Sequence, residues 1–310
     1  MGTHVTASVE ADGIPRKGRA VRLSSRDRIA LTLMVGIPLV AVGGLVWFPT
    51  ISSIVLSFTS WDGIGGITTA KWIGTENYRQ VATIYPGFWP AVRHNLIWLA
   101  FLTFVATPFG LFLAYQLDKR IRGSRIYQSV FFLPVVLSFA IIGFIVQLVY
   151  SPTQGLVNGI LGTNVDWLGD PSINLWAVLG LVGWRHAGYI MILYLAGLKA
   201  IDPSLREAAA IDGAREWHAF RTVVFPALRP INIVIVVVTV IEALRAFDIV
   251  YIVNKGRNGL ELLSILVTNN IIGEASRIGY GSAIAVILIV ISIIPIVVFV
   301  WNSFQEGDQA

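Results

Sequence analysis

Between Ile29 and Trp61 the chain carries no Asp, Glu, Lys or Arg, and none occurs between Ile126 and Val165. A charge-free apolar helix of about 20 residues is long enough to cross the hydrocarbon core of a bilayer. Composition points the same way. Charged residues make up 13% of the 310 and apolar ones 55%, whereas soluble chains carry about 25% charge. Mean hydropathy is +0.72. The sequence therefore reads as an all-α integral membrane protein. It contains no Cys, which excludes disulfides, thiolate zinc sites and cysteine nucleophiles. Its four His (His4, His94, His186 and His218) never share a helical turn, so no local metal-ligand pair exists.

Six transmembrane helices are predicted, near Ile29–Phe58, Asn95–Leu117, Tyr127–Tyr150, Leu175–Leu198, Pro230–Val253 and Gly279–Trp301. Arg185 interrupts the fourth, and Glu242, Arg245 and Asp248 interrupt the fifth. Pro49, Pro108 and Pro134 lie inside spans, where proline is tolerated better than in soluble helices, so bent helices are expected. Asn95 and Gln147 are read as interhelical hydrogen-bonding groups. Trp47, Trp61 and Trp301 are read as interface anchors.

Lys and Arg concentrate on the cytoplasmic side of such proteins. The segment before the first span holds Arg16, Lys17, Arg19, Arg22, Arg26 and Arg28. The link between spans two and three holds Lys119, Arg120, Arg122 and Arg125, and the link between spans four and five holds Lys199, Arg206, Arg215, Arg221 and Arg229. These fifteen stand against six in the other three links. Both termini are thus expected inside, and the basic balance needs no nucleic acid to explain it. Residues 1–28 read as a disordered basic cytoplasmic tail, 29–301 as the six-helix domain, 199–229 as a cytoplasmic loop within it, and 302–310 as a short cytoplasmic tail. The first span is longer than a signal-peptide core and no small-residue cleavage site follows it; it is expected to be retained.

The 199–229 loop is too structured for a connector. Asp202-Pro203 suits an N-cap followed by proline at the first helical position, and Ser204 with Glu207 is an alternative capping box. Leu205 to Ile211 favours helix, and Gly213 is a stop. A second amphipathic helix is predicted from Ala214 to Val224, with Trp217, Phe220 and Val224 on one face and Pro226 ending it. Within this loop the run EAAAIDG, with Glu207, Ala208, Ala209, Asp212 and Gly213, precedes Val223, Phe225 and Pro226. Its spacing and its place before the penultimate span resemble the EAA motif of importer-type ATP-binding-cassette (ABC) permeases. Val223 and Phe225 stand where that pattern has Ile and Leu. Further stretches, among them WFPTISSIVLSFTSWDG, RGSRIYQSVFFLP, FDIVYIV and YGSAIAVILIV, resemble maltose-, oligosaccharide- and α-glucoside-type sugar permeases.

That resemblance implies a type I ABC importer permease fold in a bacterial cell membrane. It implies that the 207–213 helix docks in a cleft of a nucleotide-binding subunit. Glu207 would pair with a basic residue there, small Ala208 and Ala209 would permit close approach, and Gly213 would permit the turn. The chain has no GxxxxGK[ST] phosphate loop, so ATP and Mg would bind the partner ATPase subunits, and no cofactor is expected in this chain. The implied partners are a second permease subunit in a heterodimer, two ATPase subunits, an extracytoplasmic sugar-binding protein, a di- or oligosaccharide substrate and membrane lipid, with no nucleic acid.

Charged side chains at the bilayer centre cost about 2.5–3.5 kcal/mol on insertion scales, which makes those inside spans candidates for function. Arg185, His186 and Tyr189 share a turn of the fourth span, and Glu242, Arg245 and Asp248 follow an i, i+3, i+6 pattern in the fifth. The resemblance puts both regions at the transmembrane sugar site, with Tyr189 on a position that is also Tyr in maltose-type permeases. Arg185, His186, Glu242 and Arg245 depart from the maltose pattern, which fits either another sugar or a buried Arg–Glu tie between the two spans. His186 alone suits a satisfied interior residue. Rival classes are weaker. Ile278-Gly279-Tyr280-Gly281 echoes a potassium filter, but Arg277 stands where a small or hydroxyl residue is wanted. An ion-coupled secondary transporter would show internal repeats, and none is seen. A glycerol-3-phosphate or polyol permease of the same ABC class is the alternative within the family.

The charge asymmetry makes a direct prediction. In this cysteine-free chain, Cys introduced at Gly123 or Trp217 should react with an impermeant thiol reagent only from the cytoplasm, and Cys at Asn164 only from outside. Outside labelling at 217 would overturn the topology.

Overall fold

A computed structural model describes residues 24–119, 121–273 and 276–307, with side chains as far as Trp301. The expected tail at 1–28 mostly lies outside the described residues. Every regular element among the described residues is helical, apart from an isolated antiparallel bridge between Thr59 and Trp72. In chain order the helices are α1 (Ser25–Leu56), α2 (Glu76–Thr83), α3 (Phe88–Asp118), α4 (Ser124–Val136), α5 (Phe139–Val149), α6 (Leu156–Leu161) and α7 (Asn174–Ala200). There follow α8 (Pro203–Ile211), α9 (216–227), α10 (Arg229–Leu244), α11 (Asp248–Asn254), α12 (Leu263–Ile271) and α13 (Ile278–Gly307).

The chain divides into two units, residues Met1–Ile51 and Ser52–Ala310. In the first, α1 starts earlier than expected because Ser24 and Asp27 form a reciprocal capping box, each side chain accepting from the other's backbone N–H. Its apolar window has no buried residue.

Among the described residues, four helices are long and apolar enough to cross a membrane: Ser25–Leu56, Phe88–Asp118, Asn174–Ala200 and Ile278–Trp301. They match expected spans one, two, four and six. The third is not one rod. α4 and α5 meet at 103°, with Leu137 and Ser138 extended and the Ser138 hydroxyl accepting from the Ile141 N–H to cap α5. The fifth is corrected as well. It is α10 and α11, broken at Arg245–Phe247. The 16 residues of α10 reach only about 24 Å at 1.5 Å per residue, short of a core about 30 Å thick. The last helix also runs past Trp301 to Gly307, into the segment read as a tail.

Three of the prolines inside helices act through a shared device. π turns at Gly43–Trp47, Leu102–Ala106 and Phe220–Val224 each end two residues before a proline, namely Pro49, Pro108 and Pro226. A proline ring clashes with the carbonyl four residues back and removes one donor. Those carbonyls belong to Leu45, Phe104 and Thr222, each in the middle of a π turn. Widening the helix there moves the carbonyl aside. The helix then continues through the proline; α9 ends one residue after Pro226, at Ala227, close to where the sequence placed its end.

Within the second unit, α3 and α7 are the most closely packed pair. A Cβ on Gly110 would fall 2.8 Å from the Ala187 carbonyl oxygen and 2.9 Å from Ile190 Cβ. α4 lies as close to α7 on another side: a Cβ on Gly188 would stand 2.1 Å from the Phe131 carbonyl oxygen. Small residues that let backbones approach are the usual means of holding helices in lipid. The same test separates two alanine substitutions in one helix. Gly188→Ala forces the α4 and α7 backbones apart and should lower thermal stability by about 1–3 kcal/mol. A Cβ on Gly180 meets only the Tyr150 hydroxyl at 3.8 Å, so Gly180→Ala should be neutral or gain up to about 1 kcal/mol of helix propensity. Unfolding of the purified variants in detergent checks both. Equal stability of the two would sink the packing argument.

Candidate functional site

A cavity of about 370 Å³ lies in the second unit between α7, α10 and the break that follows α10. Arg185 and Tyr189 face it from α7, Glu242 from α10, and Arg245 and Asp248 from the break and the start of α11. Its apolar and aromatic lining includes Trp98, Phe139 and Phe247. Glu242 organises the charges. Its Oε1 accepts from Arg185 Nη1 at 2.6 Å, and its Oε2 lies 2.6 Å from His186 Nδ1. A carboxylate only accepts, so the Nδ1 proton points at it. His186 Nε2 then faces the hydroxyls of Thr107 at 3.3 Å and Thr239 at 3.2 Å.

Sequence reasoning thus grouped five residues of which the structure brings four to the cavity wall. His186 is completely buried and stands behind Glu242, tying α7 to α3 and α10. Arg185 is held by its ion pair with Glu242 and by one aromatic ring. Its guanidinium sits 3.9 Å above the Phe139 ring, while its Nε is buried without a partner among the described residues. Arg245 is exposed and makes no ion pair among the described residues. Asp248, seen in the sequence only as part of a spacing pattern, also lines the wall. Trp98, Phe139 and Phe247 were missed, because an aromatic inside an apolar run carries no signal of which way it faces.

The 199–229 loop forms a second constellation. Asp202 is the cap of α8, its carboxylate accepting from the Ser204 N–H at 2.9 Å, and that bond holds its pKa below the usual range. The alternative cap through Ser204 and Glu207 does not form. Gly213 closes the helix with φ +75°. The Ala214 N–H reaches the Ala209 carbonyl and the Gly213 N–H that of Ala210, the paired bonds of a Schellman ending. Glu207, Ala208, Asp212 and Gly213 are exposed, as is Pro226, and Phe225 is 40% exposed. Ala209 is instead buried, so only Ala208 of the small pair faces outward.

The expected apolar face of α9 is only partly turned inward. Phe220 and Val224 enter a core with Ala114, Ile190, Tyr194 and Leu228. Trp217 stays 69% exposed, stacked on Phe220. Glu216 holds the loop to the end of α3 through Lys119 and the Tyr115 hydroxyl. Lys119, then Tyr115, keep its carboxyl below the usual range.

Residues 106–305 match the family described as binding-protein-dependent transport system inner membrane component. The chain belongs to that family. It is 33% identical over 282 residues to a xylose/arabinose import permease protein of Haloferax volcanii, covering 88% of this chain and 87% of that one. It is 30% identical over 229 residues to a trehalose/maltose transport system permease protein of Thermococcus litoralis, covering 73% and 77%. Its fold is that of a chain in the crystal structure of a bacterial ABC transporter involved in the import of the acidic polysaccharide alginate. The TM-score is 0.77 at 19% identity, over 90% of this chain and 96% of the other. Members of the family are permease subunits, not the ATPase itself.

The ion pairing separates two glutamine substitutions. The Arg185 and Glu242 side chains are 14% and 17% exposed. Glu242→Gln leaves Arg185 uncompensated and should destabilise this permease by about 3 kcal/mol. Arg245→Gln removes a side chain without an ion pair among the described residues and should change stability by less than about 0.5 kcal/mol. Thermal unfolding of both would settle whether Glu242 is the tie.

Proposed function

We propose that this permease subunit forms half of the path of an ATP-driven sugar importer, with the cavity at Arg185, Tyr189, Glu242 and Arg245 as its sugar station. The observation that carries the reading is the cavity lining, in a chain related over most of its length to permeases named for xylose/arabinose and trehalose/maltose. A sugar losing its hydration shell needs donors, acceptors and a flat apolar face. Two cations, two carboxylates and the Tyr189 ring supply all three with balanced charge. That balance favours a neutral sugar over a phosphate ester such as glycerol 3-phosphate, which would be met by Glu242 and Asp248. Its size and identity are left to the uptake test below.

The remaining assembly is proposed by likeness to other members of the family. A second, related permease completes the path as a heterodimer, two ATPase subunits bind ATP and Mg, and an extracytoplasmic binding protein delivers the sugar. The exposed face of α8, with Glu207, Ala208 and Asp212, docks on an ATPase subunit, and Gly213 sets its angle to α9. Six crossings are proposed, the third bent and the fifth broken, with both termini in the cytoplasm. Two of the three basic segments support that orientation, since the 119–125 link and the 199–229 loop are joined through Lys119 and Glu216.

In proteoliposomes holding the full importer, Glu207→Lys should assemble yet abolish the ATP hydrolysis stimulated by sugar-loaded binding protein. Arg245→Gln should keep that hydrolysis but lower uptake, or change which member of a labelled sugar panel is carried. Normal stimulated hydrolysis in Glu207→Lys would remove the docking assignment, and unchanged uptake and selectivity in Arg245→Gln would remove the sugar station.

A further inference from the structure

The docking helix α8 is weakly embedded. Ala209 is its single buried residue, so packing alone does not fix it to the bundle. Arg206 does. Its Nη1 donates to Asp118 Oδ2 at 2.6 Å and its Nη2 to the Leu198 carbonyl at 3.3 Å. Asp118 is the last residue of α3, and its side chain is only 13% exposed. α9 meets the same turn of α3: Glu216 binds Lys119 and Tyr115, and Phe220 packs edge-on to the Tyr115 ring at 4.8 Å. Both helices of the loop therefore bear on one point of the second span.

From that point back to Thr107, α3 is uninterrupted α-helix, a rod of about 16 Å at 1.5 Å per residue. Its far end touches the cavity cluster, because the Thr107 hydroxyl faces His186, which faces Glu242. Between the two ends, the close contact of Gly110 with Ala187 and Ile190 keeps α3 from sliding along α7, since packed backbones are not continuously deformable. A rigid element joined at both ends conveys displacement, and whether it does so here is a matter of measurable coupling.

We infer that α3 is a strut between the docking loop and the sugar cavity, with Asp118–Arg206 as its lower joint and Thr107–His186 as its upper one. Asp118 and Thr107 are then positioning residues for import. The inference rests on the docking and sugar-station readings above.

The test uses the full importer in proteoliposomes and reads sugar imported per ATP hydrolysed. Asp118→Asn, which keeps the shape and loses the charge, should assemble and retain basal ATP hydrolysis while import per ATP falls at least fivefold. Asp118→Glu, which can still pair with Arg206, should stay near wild type. Thr107→Val should give a similar fall from the other end. The double variant Asp118→Asn/Thr107→Val should be no worse than the more impaired single, because one strut is already released. Wild-type import per ATP in Asp118→Asn would overturn the strut. So would a double variant whose loss is the product of the two singles, or a loss explained wholly by reduced assembly. Glu207→Lys run in parallel keeps the readings apart: if it abolishes stimulated hydrolysis while Asp118→Asn is normal, docking stands and only the strut falls.

Discussion

Apolar helices gain little by hiding from lipid tails that are as apolar as themselves, so a bundle in a membrane needs other reasons to hold together. Here the first is the approach of α3 and α4 to α7. Gly110 and Gly188 let two neighbouring backbones come so near α7 that no side chain fits between them. Everything of functional interest is referred to that helix. It carries Arg185, His186 and Tyr189 at its middle, and α8 begins three residues after it ends.

The second reason is electrostatic and comes with a constraint. Glu242 sits where an isolated charge would be costly, and two donors from α7 converge on it. Such a pair is worth little as net stabilisation against an apolar alternative, but breaking it is expensive. Its clearest consequence is geometric. With Glu242 held by Arg185 and His186, the charged groups at the cavity wall without an ion pair among the described residues are Arg245 and Asp248, and these sit where the helix is broken. The tie and the exposed pair are separate sets of residues, although in the sequence they appear as one charged cluster.

Much of this was legible in advance. Charge-free runs located three continuous helices, a fourth was read across Arg185, and Gly213 announced the turn after α8. The EAA spacing identified the loop, and Arg185, Tyr189, Glu242 and Arg245 fell on one cavity. What escaped has physical causes. Hydropathy measures length and composition but not direction, so it joined α4 to α5 across a 103° bend and α10 to α11 across a break. Helical periodicity put Trp217 on an inward face, but a π turn begins three residues later and shifts the phase. His186 was grouped with its neighbours because residues adjacent in sequence point in different directions on a helix, and only packing decides which of them reaches a cavity. Trp98 had no polar signal to distinguish it from other span residues.

The bend in the third span and the break in the fifth also shape the cavity, since Phe139 follows the bend and Arg245 and Asp248 lie at or just after the break. Non-helical backbone at membrane depth is tolerated only where protein or a water-filled cavity satisfies it, and each helix end leaves orphan donors or acceptors. Asn95 answers for two of them. Its Nδ2 donates to the Ala243 carbonyl at the end of α10, and its Oδ1 accepts from the Leu263 N–H at the start of α12. The Ser264 hydroxyl takes the Ala246 carbonyl inside the break, and Gln147 takes those of Ile252 and Val253 at the end of α11. Asn95 and Gln147, expected as bonds between helices, thus bond to backbone at helix ends, Asn95 at the break and at the start of α12, Gln147 at the end of α11. A continuous fifth helix would take the Ala243 carbonyl from Asn95 and would close the gap from which Arg245 and Asp248 face the cavity. The irregular span and the polar residues that serve it form one feature, and the cavity is its result.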